Sequence, residues 1–95
     1  MSYTPLPYRE RIARYILEYQ ISHDNRPVLA ADMYRELFQK YPKFVNFRMV
    51  SHVLRNRNVF EEVLEFGKNR YGRIYKIRDE VYELKLGGML RMLLG

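Results

Sequence analysis

Large apolar side chains recur at intervals of three and four residues along the first part of the chain, which is the spacing of one face of an α-helix. The first series predicts a helix over residues 7–22, and the second predicts a helix over residues 29–41 that Pro42 stops. The two series are Tyr8, Ile12, Tyr15, Ile16 and Tyr19, and then Ala30, Met33, Tyr34, Leu37, Phe38 and Tyr41. Because amphipathic helices must cover their apolar faces, the sequence predicts a core built mainly from helices.

A third helix is predicted over residues 46–57, since the side chain of Asn46 can accept the free N–H groups of a first helical turn. On a helical wheel its apolar side chains share one face, which we expect to be core, and its polar side chains share the opposite face. The apolar face holds Phe47, Val50, Val53 and Leu54, and the polar face holds Arg48, Ser51, His52 and Arg55, with Met49 and Asn56 at its edge.

The periodicity changes after Asn58. Residues 59–66 and 73–81 are rich in β-branched and aromatic side chains and are joined by a polar segment that contains Gly67 and Gly72. This pattern predicts a β-hairpin over about residues 59–78.

The tail, residues 79–95, returns to helical spacing, but the adjacent Gly87 and Gly88 disfavour one continuous helix. The sequence is compatible with two structures for the tail: a short amphipathic helix, or two segments around a bend. The apolar residues of the tail must be covered by the rest of the domain or by a second copy of the chain.

The chain has 95 residues, which leaves room for one domain, 1–95, of a mainly helical α+β class. The absence of cysteine excludes a disulfide scaffold and fits a reducing, cytoplasmic location. Neither an export signal nor a membrane span is predicted. His23 and His52 are too few for a metal site, and no cluster of Ser, His and carboxylate suggests an enzyme, so we expect no catalytic residue, metal or cofactor.

The formal net charge of +6 and the isoelectric point near 9.7 make a polyanion the first partner to test. The ends of the chain are nearly neutral, and the whole excess lies in residues 43–78. This block holds three glutamates, Glu61, Glu62 and Glu65, and nine basic residues, Lys43, Arg48, Arg55, Arg57, Lys68, Arg70, Arg73, Lys76 and Arg78. A basic block alone is equally typical of a solvated face.

The order of helix, helix, four-residue turn, helix and basic hairpin resembles that of winged helix-turn-helix domains, over about residues 7–81. Residues 46–55, with the sequence Asn-Phe-Arg-Met-Val-Ser-His-Val-Leu-Arg, are similar to the recognition helices of winged-helix regulators. The chain departs from the common form at Asn58, where a glycine often follows the recognition helix, and in the turn, which carries Pro42 and Phe44. The resemblance implies a three-helix fold in which the hairpin is the wing.

The resemblance also implies sequence-specific binding to double-stranded DNA, as a small transcription regulator, with the third helix in the major groove and the wing on the adjacent backbone or minor groove. The expected DNA-binding residues are Arg48, Met49, Ser51, His52, Arg55 and Asn56 on the helix, and Lys68, Asn69, Arg70 and Arg73 on the wing. A homodimer formed through the C-terminal tail, the first predicted helix or both would bind two half-sites on the DNA. A protein-interaction module of a transcription or replication assembly, and a binder of structured RNA, are the alternatives.

Overall fold

The computed structural model describes residues 6–63 and 72–95, which form a mainly helical α+β fold. In chain order the elements are α1 (Leu6–Ser22), β1 (Val28–Leu29), α2 (Ala30–Lys40), α3 (Phe47–Leu54), β2 (Phe60–Glu62), β3 (Ile74–Ile77), α4 (Asp79–Tyr82) and α5 (Leu86–Leu94). The three predicted helices are therefore confirmed. The third is shorter than predicted and ends at Leu54, because Arg55 leaves helical geometry and the Asn56 side chain accepts from the N–H of Asn58 to form a turn.

The strand pairing of the predicted hairpin is confirmed: β2 and β3 are antiparallel, with Phe60 opposite Ile77 and Glu62 opposite Tyr75. The predicted connection between them, over residues 64–71, lies outside the described residues. Strand β3 ends at Ile77, next to the predicted end of the hairpin at residue 78, and α4 begins at Asp79. Two acidic residues in the first turn of α4 favour a helix there through the helix dipole.

A third strand, β1, was not predicted from the sequence. It pairs antiparallel with β3 and gives the sheet the order β1-β3-β2. Val28 and Leu29 are too few to show the alternation typical of a strand, and they take strand geometry only because β3 provides hydrogen-bonding partners.

The core lies between the helices and the inner face of the sheet. Its largest fully buried side chains include Ile12, Ile16 and Leu17 of α1, Met33 of α2, Leu54 of α3, Phe60 and Ile77 of the sheet, and Met89 of α5. Each such side chain contributes about 1.5–3 kcal/mol by leaving water. Packing against this shared core therefore stabilises the helices far more than their individual caps do.

The loop between α1 and β1 is fixed to the sheet by the buried side chain of Asn25. Its Nδ2 donates to the carbonyl of Ile77 at 2.7 Å, and its Oδ1 accepts from the N–H of Ile77 at 2.8 Å. Gln20 Nε2, also buried, donates to the same Oδ1 at 3.1 Å. Asn25 has a φ of 55°, a left-handed conformation that asparagine tolerates better than most residues. The Asn25 carboxamide thereby makes the two hydrogen bonds to Ile77, the last residue of β3, that a longer β1 strand would make with its backbone.

The C-terminal tail forms two helices separated by residues 83–85, and Gly87 and Gly88 lie inside the first turn of α5 rather than at the break. Met89, Leu90 and Leu93 of α5 are buried, and α5 packs along α1. The domain itself therefore covers most of the apolar face of the tail.

Two aromatic side chains that the sequence assigns to apolar stripes are exposed. Phe38 is 42% exposed and Phe47 is 47% exposed, so their predicted places in the core are wrong. Tyr34 lies between them and contacts both rings, edge-on with Phe47 at a centroid distance of 5.8 Å and tilted with Phe38 at 5.5 Å. A helical wheel predicts the direction of a side chain but not how far the neighbouring helices extend to cover it.

Candidate nucleic-acid interface

The outer face of α3 presents a stripe of basic side chains. Arg48, His52 and Arg55 follow one another at intervals of four and three residues and are all exposed, while Val50 and Leu54 on the opposite side are buried. The helix begins where expected, because Asn46 Oδ1 accepts from the N–H of Met49 at 2.9 Å. The buried side anchors α3 in the core, so the stripe has a fixed direction.

The other predicted residues of α3 flank this stripe. Met49, Ser51 and Asn56 are each partly buried. Met49 packs against the core, and the Asn56 carboxamide holds the turn that follows the helix. These three side chains therefore border the exposed face. Met49 contributes to core packing, and Asn56 contributes a hydrogen bond to the following turn.

A groove of about 840 Å³ begins at the C-terminal end of α3 and is enclosed by the N-terminal half of α1, the inner face of the hairpin and the end of α5. We call it the arginine groove, because five arginines line it: Arg9, Arg55, Arg57, Arg73 and Arg78. A smaller hollow of about 430 Å³ lies between α1 and the first part of α3 and shares Arg9, His52 and Arg55 with the groove. The two concavities form a continuous surface along the α1 side of α3.

The arginine groove is positive overall, since its described lining holds five arginines and two glutamates, Glu61 and Glu62, together with His52. Arg73 is 4.0 Å from Glu62, a distance at the limit of an ion pair, and its side chain is 65% exposed. Arg78 Nε donates to the carbonyl of Arg57 at 2.7 Å, which ties β3 to the turn after α3. The remaining guanidinium N–H groups are donors suited to a polyanionic ligand.

Three of the five groove arginines, Arg9, Arg57 and Arg78, were not among the predicted site residues. Arg57 and Arg78 belong to the basic block, and that charge pattern was a usable signal for both. Arg9 had no such signal, because residues 1–42 are nearly neutral overall. The packing of α1 against α3 brings it to the interface.

The structure separates some of the basic block from this surface. Lys76 lies on the other face of the sheet, where its Nζ contacts Asp79 Oδ1 at 3.0 Å. The hydrogen bond to Asp79 raises the pKa of Lys76 above its usual value. The predicted wing residues Lys68, Asn69 and Arg70 lie outside the described residues, whereas Arg73 lies at the groove.

The described residues contain no group of three or more His, Cys, Asp or Glu side chains that could hold a metal ion. Within residues 6–63 and 72–95, no helix has the length and apolar character needed to cross a membrane. Comparisons with protein-family models, curated proteins and solved structures found no match to the chain.

Proposed function

We propose that the protein binds double-stranded DNA in a sequence-specific manner, as a small transcription regulator of the winged-helix type. Support for the fold type comes from the order of α2, a short turn, α3 and an antiparallel hairpin. The strand β1 and the helix α5 extend this arrangement without changing that order.

The observation that carries the proposal is the exposed basic stripe on α3. An α-helix fits the major groove of B-DNA, where arginine can donate two hydrogen bonds to one guanine. Arg48 and His52 are exposed on successive turns of α3, and Arg55, the C-cap residue that follows the helix, is exposed as well. A helix placed in the groove along this stripe would bring all three side chains to base edges or phosphates. The predicted wing residues Lys68, Asn69, Arg70 and Arg73 would then contact the neighbouring backbone or minor groove.

The test is selection of bound sequences from a random duplex library with the wild type and with Arg55→Ala. We expect the variant to lose discrimination of about tenfold or more at one or two positions of the selected motif, because one bidentate base contact is removed. Arg26→Ala is the matched control, since Arg26 is also exposed but lies in the loop after α1. Equal motifs from all three proteins would contradict a role for Arg55 in reading sequence.

We also propose a homodimer that meets two half-sites. Three apolar side chains near the C-terminus support a dimer, because each remains about 40% exposed: Leu84, Met92 and Leu94. A two-fold dimer would bury these side chains and place two α3 helices on one side. Light scattering after gel filtration tests this, and a monomer mass at all concentrations used for DNA binding would contradict it.

A second function, docking to a partner protein of a transcription or replication assembly, is favoured by the exposed rings of Phe38 and Phe47. Aromatic side chains are enriched at the centres of protein interfaces. If this surface binds protein, Phe38→Ser and Phe47→Ser should abolish capture of the partner and leave DNA affinity unchanged. Loss of DNA binding with no loss of a protein partner would contradict the docking role.

A further inference from the structure

We infer that the arginine groove binds one phosphodiester strand of the DNA duplex, on the α1 side of α3, and that Arg9 is part of this contact. The inference rests on the proposed function. It assigns a ligand to a surface that the sequence did not predict, and it extends the DNA interface from α3 and the hairpin to α1.

The major groove is about 12 Å wide and is bordered by a phosphate strand on each side, so a helix lying in it turns each flank toward one strand. The flank of α3 that faces α1 opens into the smaller hollow and then into the arginine groove. Arg9 lines both concavities. A strand that follows this flank would therefore pass Arg9 and then meet the arginines at the end of α3 and on β3.

Guanidinium groups bind phosphate through paired, charge-assisted hydrogen bonds, and such contacts position a protein on DNA without reading its sequence. The five arginines come from α1, the end of α3 and both ends of β3, so their convergence is a product of the fold rather than of one basic segment. The described lining holds two glutamates, Glu61 and Glu62, against these five arginines, which leaves an excess of positive charge.

The side chains of the arginine groove favour a duplex over a single strand. Single-strand binding grooves combine positive charge with exposed aromatic rings on which bases stack. Phe60 and Tyr75 line the arginine groove but are only 2% and 6% exposed. Among the described residues that line this groove, no aromatic side chain is free to stack on a base. The groove thus offers donors for phosphate and no platform for unpaired bases.

The experiment compares Arg9→Ala with Arg11→Ala by fluorescence anisotropy, using one labelled duplex that carries the selected motif, between 50 and 300 mM KCl. Both arginines are exposed on α1, but Arg11 does not line either concavity. Loss of one phosphate contact should make the negative slope of log K against log salt shallower by about one. It should also weaken binding about tenfold at 50 mM salt. Arg11→Ala should match the wild type. Equal behaviour of the two variants, with wild-type binding intact, would overturn the inference while leaving the proposed function standing.

A second pair of variants tests the same surface through an expected gain, rather than a loss, of duplex affinity. Glu62→Gln removes a carboxylate next to Arg73 and should increase duplex affinity, whereas Glu18→Gln, on an exposed part of α1 outside the groove, should not. An unfolded or purely structural variant cannot produce a gain in affinity. No gain for Glu62→Gln would count against the groove as a phosphate site.

Titration with inorganic tripolyphosphate distinguishes the DNA backbone from a small phosphorylated ligand. We expect no saturable binding at micromolar concentrations, because the arginines are spread along a groove open to solvent. Saturable binding that Arg9→Ala abolishes, together with unchanged duplex affinity of that variant, would overturn the inference in favour of a small-ligand site. If the wild type binds no duplex at all, the proposed function fails and the inference fails with it.

Discussion

Replacement of Asn25 is expected to destabilise the protein more than any change on its surface. In an antiparallel pair, successive residues of one strand point their backbone groups to alternate sides. The N–H of Arg78 donates to the carbonyl of Val59, the residue just before β2. The N–H and carbonyl of Ile77 therefore face the opposite side, toward β1. Strand β1 does not reach this position, and the Asn25 carboxamide satisfies both groups.

The magnitude follows from these bonds. Asn25→Ala leaves the buried donor and acceptor of Ile77 without their partner, at a cost of about 1–3 kcal/mol for each group. Alanine in place of asparagine at a φ of 55° adds about 1 kcal/mol. We therefore expect a loss of about 3–7 kcal/mol, which is a large part of the 5–15 kcal/mol of free energy of unfolding that is usual for a domain.

The assay is urea unfolding followed by far-ultraviolet circular dichroism for Asn25→Ala, Asn25→Gly and Asn25→Asp. Glycine accepts the left-handed conformation, so the glycine variant should be about 1 kcal/mol more stable than the alanine variant. An ionised aspartate can accept from the Ile77 N–H but repels the Ile77 carbonyl. The stability of N25D relative to wild type should therefore rise as the pH falls and a protonated carboxyl group becomes able to donate. A loss below about 1 kcal/mol for Asn25→Ala would refute the reasoning, since it would mean that Ile77 is satisfied without this side chain.

Three further outcomes are expected. Asn46→Ala should cost about 1 kcal/mol in urea unfolding, because the N–H of Met49 loses its cap, and an unchanged midpoint would contradict the cap. Gly87→Ala should stabilise the protein by about 0.5 kcal/mol, since an added Cβ meets open space, whereas Gly88→Ala should gain less because its Cβ would lie 3.2 Å from Leu84 Cβ; thermal unfolding of both variants checks the order. A hydrogen bond with Tyr41, and then burial, raise the pKa of Tyr15 above its usual value of 10.0, so its neutral form favours the folded state. This contribution is complete below pH 10 and is lost as the pH rises through the raised value, so wild type should lose stability in this range and Tyr15→Phe should lose less.

The parts of the fold that the sequence predicts are those specified by neighbouring residues. The helical stripes of α1 and α2 depend on spacing over a few turns, and the cap at Asn46 depends on a residue three positions away. The exposed stripe on α3 follows from the same local rule. Periodicity was therefore enough to predict three helices and the direction of Arg48, His52 and Arg55.

The parts that sequence reasoning missed depend on residues distant in the chain. Strand β1 exists because Val28 pairs with Tyr75, and Asn25 matters because it reaches Ile77. Arg9 lines the arginine groove only because α1 packs against α3. Neither composition nor periodicity carries information about such pairings. The same limit explains Phe47, whose direction was predicted but whose exposure depends on how far its neighbours extend.

The most direct test of the central claim is the affinity of the wild-type protein for duplex DNA as a function of salt. Each phosphate contact contributes about −0.9 to the slope of log K against log salt, so four or five engaged arginines predict a slope of about −4. The double variant R9A/R73A should bind more weakly, with a slope that is shallower by about two, because two arginines of the arginine groove are removed. A measurable affinity that does not change with salt, or no binding at low salt, would contradict the account.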